Sequence, residues 1–294
     1  MEFCKTIRRE NKLIQFREYL MKIVFFITAC MSIIAVVLIC VFMFGNGIPA
    51  IREVGFIKFI FGHEWRPSND IYGIFPMIVG SLYVTAGAII IGVPLGLLCA
   101  VFMAYFCPDS VHRVLKPAIS LLAGIPSIVY GFFGLVVIVP MVQYVFGTGG
   151  KSILTVSILL GIMILPTIIN VTETALRAVP ASYYEGSLAL GATHERSVFF
   201  AIIPAAKSGI LSAIILGVGR AIGETMAVNM IAGNQAIMPG SIFDGVRTMT
   251  ANIVIEMGYA TGMHRQSLIA TAVVLFVFIL LINLSFMVLK KNDK

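Results

Sequence analysis

The sequence predicts an all-α integral membrane protein with six transmembrane helices and both termini on the cytoplasmic side. Three observations carry this expectation. Apolar residues fill 59% of the 294 positions and charged residues only 12%, against about 45–50% and about 25% in an average soluble domain. The mean hydropathy is +0.99, which excludes a disordered chain, a secreted disulfide scaffold and an ordinary cytosolic enzyme. The apolar residues also gather into six stretches, at about 23–44, 74–105, 118–146, 153–173, 208–235 and 267–289. Each reaches the roughly 20 residues that cross a bilayer as a helix. Barrel strands would instead alternate over about ten residues.

The stretches are taken in order. The run at 23–44 follows a basic arm, 1–22. It is longer than the roughly 7–15 residues of a signal peptide core, and no small-x-small cleavage site follows, so it reads as a retained anchor helix. The second stretch holds Gly80, Gly87, Gly92, Pro94 and Gly96, and the third Gly124, Pro126, Gly131 and Gly134. Small residues and prolines allow either close helix packing or kinks that open around a central cavity. Ser81, Thr85, Ser127 and Tyr130 add hydrogen-bonding groups there. Before the fourth stretch, Gly150-Lys151-Ser152 resembles the end of a phosphate-binding loop. The full motif needs a glycine where Val145 stands, and a strand before it. No nucleotide site is expected.

The fifth stretch contains Arg220 and Glu224, with Thr225 and Asn229 nearby. An ionised residue at bilayer depth costs at least a few kcal/mol, so it faces the protein interior or water. A spacing of i to i+4 puts the pair one turn apart on one helix face. Two readings stand. One is a buried ion pair that fixes packing. The other is a pathway lining in which Arg220 attracts an anion and Glu224 tempers its charge, since the guanidinium matches oxyanion geometry. Gly219 and Gly223 form a small-xxx-small pair that lets a neighbouring helix approach. The sixth stretch ends in a short basic tail, 290–294.

Orientation follows from Lys and Arg in the loops. With the amino terminus inside, the inner segments carry fourteen basic residues: six in 1–22, then Arg113, Lys116, Arg177, Arg196, Lys207, Lys290, Lys291 and Lys294. The outer segments carry six: Arg52, Lys58, Arg66, Lys151, Arg247 and Arg265. The excess accounts for most of the net charge of +7 as topology and lipid headgroup contact, without nucleic acid. Cys4, Cys30, Cys40, Cys99 and Cys107 form no CxxC pair, and the four histidines fall in four different loops. No metal site, cofactor or catalytic set is expected.

The inner segment 174–207 carries helix signals. Ser182 and Glu185 have capping-box spacing after Pro180, which predicts a helix over 183–190 ending at Gly191. Thr193 predicts the cap of a second helix running to 203 before Pro204. On pattern alone this is either a compact loop packed on its own bundle or a docking element for a partner.

Here the residues meet a resemblance. Glu185-Gly186-Ser187, Gly191 six residues after the glutamate and Pro204 nineteen after it are similar to the coupling motif of binding-protein-dependent ABC importer permeases, Glu-Ala-Ala with the same glycine and proline spacings. Gly186 and Ser187 stand where that motif has alanines. The string Ala221-Ile-Gly-Glu-Thr-Met-Ala-Val228 resembles the phosphate-specific (Pst) permeases. So does 245–264, which, with Trp65-Arg-Pro and the long amino-terminal arm, is most similar to the PstC-type subunits. The resemblance covers about 60–290.

The resemblance implies a type I ABC importer permease fold in a prokaryotic cytoplasmic (inner) membrane. It implies docking of Ser182, Glu185, Gly186, Ser187, Gly191 and Pro204 onto a cytoplasmic ATPase dimer (PstB-like). It also implies a second homologous permease (PstA-like) and an extracytoplasmic phosphate-binding protein (PstS-like). The outer segments 45–73 and 236–266 are the surface for that last partner, with Arg247, Glu256 and Arg265 as contacts. The substrate expected is inorganic phosphate. An ABC permease for another oxyanion, molybdate or sulfate, and a stand-alone secondary anion transporter are the rival readings.

Overall fold

The computed structural model describes residues 2–291, and side chains outside 1–16, 286 and 289–291. The side chains of Cys4, of four of the arm's basic residues (Lys5, Arg8, Arg9 and Lys12) and of Lys290 and Lys291, and all of 292–294, therefore lie outside what is described. Among the described residues, five helices are long and apolar enough to cross a membrane, six if one pair bent by 70° is counted as a single span.

The chain opens with α1 (Glu2–Val54), whose apolar window from Arg17 onward buries nothing. α1 lies along α14 (Gly262–Lys291), the other end of the chain. Gly47 faces Ala270 and Val273, and the rings of Phe44 and Phe276 meet edge to face at 5.9 Å. After α1 come α2 (Phe56–Phe61) and a two-stranded antiparallel hairpin, β1 (Trp65–Arg66) with β2 (Ile71–Tyr72), in which Trp65 faces Tyr72.

The centre is the pair α3 (Phe75–Val101) and α7 (Ile153–Arg177). Two thirds of the apolar window of α7 is buried. A lipid environment gives no hydrophobic drive for one helix to meet another, so contact must come from close van der Waals packing. The glycines of α3 provide it. A Cβ on Gly92 would stand 2.8 Å from the Gly161 carbonyl oxygen, and one on Gly96 would stand 2.8 Å from Ile168. Val84, Ala88, Leu159, Leu160, Met163 and Ile164 complete this core. Ser152 caps α7 by accepting the Thr155 N–H at 3.3 Å, which is what the loop-like Gly-Lys-Ser string does.

The third expected span does not start at 118. α4 (Asp109–Gly124) is a separate amphipathic helix that packs through His112, Leu115, Lys116 and Ile119. The chain then breaks at Ile125-Pro126. The apolar segment begins with α5 (Ser127–Phe133) and runs on into α6 (Val139–Phe146).

Three π-helical turns interrupt the helices, at Phe102–Phe106, Gly134–Ile138 and Val198–Ile202. Each ends two residues before a proline: Pro108, Pro140 and Pro204. Proline lacks an N–H and clashes with the preceding turn; a widened i to i+5 turn absorbs that defect at Pro140 and Pro204, whereas the helix ends before Pro108. The expected second coupling helix therefore does not stop before Pro204. It is α9 (His194–Ser197), the third π turn, and α10 (Ile203–Ala205) with Pro204 inside it.

The expected fifth span is not one helix either. α11 (Lys207–Gly223) stops, Glu224 takes an extended conformation (φ −70, ψ 128), and α12 (Met226–Ile231) restarts. Gly131 of α5 sits 2.9 Å from Ala227 of α12 by the same Cβ measure. Gly219 and Gly223, expected to receive a neighbouring helix, have nothing within 4 Å among the described residues. α13 (Met249–Met257) leads into α14.

Candidate functional site

The motif segment forms α8 (Ala181–Ala189), followed by a tight reversal into α9. Pro180 takes the cap position, so Ser182 falls inside the first turn and the expected capping box does not form. Gly191 has φ +86, the left-handed conformation that closes a helix. Its N–H donates to Leu188 O at 2.9 Å, and the Ala192 N–H to Ser187 O at 3.2 Å. Thr193 caps α9 as expected, accepting the Arg196 N–H at 3.3 Å. Ser187, one of the two departures from alanine, lies 3.0 Å from Ser197 Oγ and ties α8 to α9. Glu185 and Gly186 face solvent beside the exposed side chains of Tyr183, Leu188 and Leu190. The segment thus presents apolar surface on a tight, internally braced turn.

This segment rests on the carboxyl end of α3. A helix end leaves carbonyls without N–H partners. In the first π turn two of them are filled by side chains from elsewhere: Arg177 Nη2 donates to Met103 O at 2.9 Å, and His194 Nε2 meets Tyr105 O at 3.1 Å. A carbonyl only accepts, so Nε2 carries the proton. Neutral Nδ1 then accepts from Tyr184 Oη at 2.7 Å. Tyr105 Oη donates to Leu176 O at 3.2 Å.

Close by, Glu173 is 3% exposed. It accepts from His112 Nε2 at 2.8 Å, Lys116 Nζ at 2.7 Å and Arg177 Nε at 3.1 Å. Lys116 also donates to Asn170 Oδ1 at 2.9 Å. Residues of α3, α4 and α7 thus meet beside the coupling segment. Sequence reasoning missed this knot. The available signals were a glutamate with Arg177 four residues on, and His112 and Lys116 one turn apart.

The membrane-depth pair is arranged differently from the expectation. Because α11 ends at Gly223, Arg220 and Glu224 do not share a helix face. Arg220 Nη1 donates to Thr167 Oγ1 at 3.2 Å, next to Pro166 of α7. It borders an open groove of ≈ 770 Å³ together with Ser212, Gly219, Asn283 and Met287. Glu224 turns its carboxylate onto the start of α12, accepting the N–H groups of Thr225 and Ala227 at 3.2 Å each. Thr225 Oγ1 donates to Gly223 O, and Asn229 is held by Asn234 Nδ2 at 2.9 Å. Arg220 alone of the four expected pathway residues therefore faces the groove. Asn283, which hydropathy gave no reason to single out, lines the same groove, and Thr167 accepts from the Arg220 guanidinium.

At the hairpin end, Glu256 is 5% exposed and accepts from Trp65 Nε1 at 2.8 Å, Arg247 Nη1 at 2.6 Å and His264 Nε2 at 2.8 Å. Arg247 also reaches Asn234 O at 3.0 Å and Asn252 Oδ1 at 3.1 Å. The expectation that Arg247 and Glu256 offer their charges outward is corrected: they neutralise each other inside. Arg265 is exposed. Tyr72 donates to Asp70 Oδ1 at 3.1 Å, and burial, then the Asp70 carboxylate, push its phenol up, so it stays protonated. Among the described residues, no group of three or more metal-ligating side chains gathers.

Comparison with known proteins adds the context. Residues 92–292 match the family described as binding-protein-dependent transport system inner membrane component. The chain is 40% identical over 270 residues to a probable ABC transporter permease protein, YqgH, of Bacillus subtilis, covering 87% of each chain. It is 33% identical over 265 residues to the phosphate transport system permease protein PstC of Mesorhizobium japonicum, covering 83% of this chain and 81% of that one. Among solved structures, the inward-facing MetNI methionine ABC transporter superposes with TM-score 0.59 at 19% identity, over 79% of this chain and 100% of that one. A bacterial alginate ABC transporter bound to its periplasmic protein gives 0.60 at 14%, over 91% and 93%. These two show the fold.

Proposed function

Since this chain belongs to the family of binding-protein-dependent transport system inner membrane components and is an ABC importer permease of the type I fold, we propose that it forms one half of a channel that imports inorganic phosphate into a prokaryotic cell. The observation that carries the substrate class is Arg220. A guanidinium held by Thr167 at the edge of an open groove suits an oxyanion, which it can meet with two parallel N–H donors. Inside a bundle such a contact is worth more than in water, because competing solvent is scarce. Relatives named for phosphate transport support phosphate as the oxyanion.

The working cycle is as follows. A second permease of the same fold completes the channel in the cytoplasmic membrane, with both termini inside, as the fourteen-to-six basic bias supports. A phosphate-binding protein outside delivers the anion to the hairpin end, where Arg265 is exposed. A cytoplasmic ATPase dimer grips the braced turn around Glu185, Gly186 and Gly191, and its closure displaces α8 and α9. That displacement alternates access to the groove. Hydrolysis belongs to the partner, and this chain makes no covalent intermediate.

The test is ATP-dependent uptake of labelled phosphate by the complex reconstituted in vesicles, with sulfate and molybdate as competitors. Phosphate uptake resistant to both competitors is expected. Inhibition by sulfate would reassign the substrate. Uptake by this chain alone, driven by an ion gradient, would refute the importer reading. Arg220→Gln is expected to lower uptake at least about tenfold, the loss of one charge-assisted contact, while the complex still copurifies. Loss of the assembled complex instead would make Arg220 a packing residue.

A further inference from the structure

The coupling segment is fastened at two points to one place. Arg177 lies just before α8 and His194 starts α9. Both donate to carbonyls of the same π turn, Met103 O at 2.9 Å and Tyr105 O at 3.1 Å. These carbonyls are free because the turn closes only as Cys107 N–H to Phe102 O, at 2.8 Å, before Pro108 ends the helix. A helix carboxyl end carries partial negative charge, so a guanidinium and an imidazole N–H are its natural partners. The grip extends further on each side. Tyr184 of α8 donates to His194 Nδ1 at 2.7 Å, and the His194 ring stands edge-on to Phe106 at 4.8 Å. Tyr105, whose carbonyl takes His194, donates its own hydroxyl to Leu176 O of α7 at 3.2 Å.

We propose that Arg177 and His194 are positioning residues that clamp the coupling helices to the carboxyl end of α3. This rests on the reading of the segment as an ATPase-docking element. The clamp makes α8, α9 and the base of α3 one mechanical unit. A push on α8 is then delivered to α3 and, through Tyr105, to α7, the two central helices. Without the clamp α8 shifts on its own loop and the push is lost. Glu173 supports the same unit by holding the Arg177 guanidinium through Nε at 3.1 Å while Nη2 reaches α3.

The experiment uses the reconstituted complex with its ATPase and loaded binding protein. His194→Phe keeps a flat ring against Phe106 and removes both hydrogen bonds. His194→Gln restores one donor and one acceptor at about the same reach. The expected result is copurification of the ATPase with every variant and phosphate moved per ATP reduced about fivefold or more in His194→Phe, as two lost hydrogen bonds imply. His194→Gln recovers most of the ratio. Tyr184→Phe, which removes one hydroxyl, gives a smaller loss and serves if His194→Phe does not assemble.

Nitroxide labels at Ser182 on α8 and Phe102 at the base of α3 report the clamp without reference to any substrate. Their separation stays fixed through the ATP cycle in the wild type and varies in His194→Phe. A wild-type transport ratio in both His194→Phe and Tyr184→Phe, or a separation that already varies in the wild type, overturns the clamp. A wild-type complex that moves no phosphate but keeps a fixed separation refutes the substrate reading and leaves the clamp standing.

Discussion

Glu173, beside the coupling segment, and Glu256, beside the hairpin, each gather one histidine, one arginine and one further N–H donor. The difference is in the donors. Around Glu256 they are mostly covered, with Arg247 17% and His264 15% exposed. Around Glu173 they reach water, with Lys116 35% and Arg177 50% exposed. The Glu256 cluster fastens the hairpin to α13 and α14 and has nowhere else to put its charges. The Glu173 cluster can exchange protein partners for solvent, and its arginine is shared with the end of α3. The same chemistry makes a mostly covered clasp at one end and a more exposed brace at the other.

Substitutions break or sharpen this contrast. The largest effect is expected from Glu256→Gln. It leaves Arg247 buried against a neutral group, and breaking a buried pair costs about 3–5 kcal/mol. Thermal unfolding in detergent should show a markedly lowered transition or no folded protein. Glu173→Gln should cost less, about 1–3 kcal/mol, because its cations hydrate when released. The same melting experiment decides it: equal losses for the two variants would show that access to water does not separate the clusters. Ser187→Ala removes one neutral hydrogen bond between α8 and α9 and should cost about 0.5–1.5 kcal/mol. Amide exchange over 187–197 should quicken while the α7 core stays protected; an unchanged exchange profile would mean the brace contributes nothing.

The features set by nearest neighbours in the chain were legible in the sequence. Thr193 caps α9 and Gly191 closes α8 because caps depend on residues within one turn. The apolar stretches were visible because lipid demands continuous runs. The break at Glu224 was hidden because the apolar run resumes at once from Met226, and the break depends on a carboxylate folding back onto two N–H groups. The capping box at Ser182 failed for a local reason: Pro180, with its fixed φ, already occupies the helix start. Both carboxylate clusters were hidden by distance, since Glu173 finds Lys116 57 positions away and Glu256 finds Trp65 191 positions away. Scarcity of charge pointed to Arg220, which borders the open groove. The same reasoning misplaced Arg247 and Glu256, because charges in an outer segment can be consumed internally.

The packing of α1 on α14 has a consequence in time. Phe44 and Phe276 are separated by more than two hundred residues. At a synthesis rate of roughly 5–20 residues per second, about 10–50 s pass between the two being made. Throughout that interval α1, which buries none of its apolar window in the bundle, has lipid as its solvent. The bundle therefore closes late, when the last long helix arrives beside one that has been waiting in the bilayer.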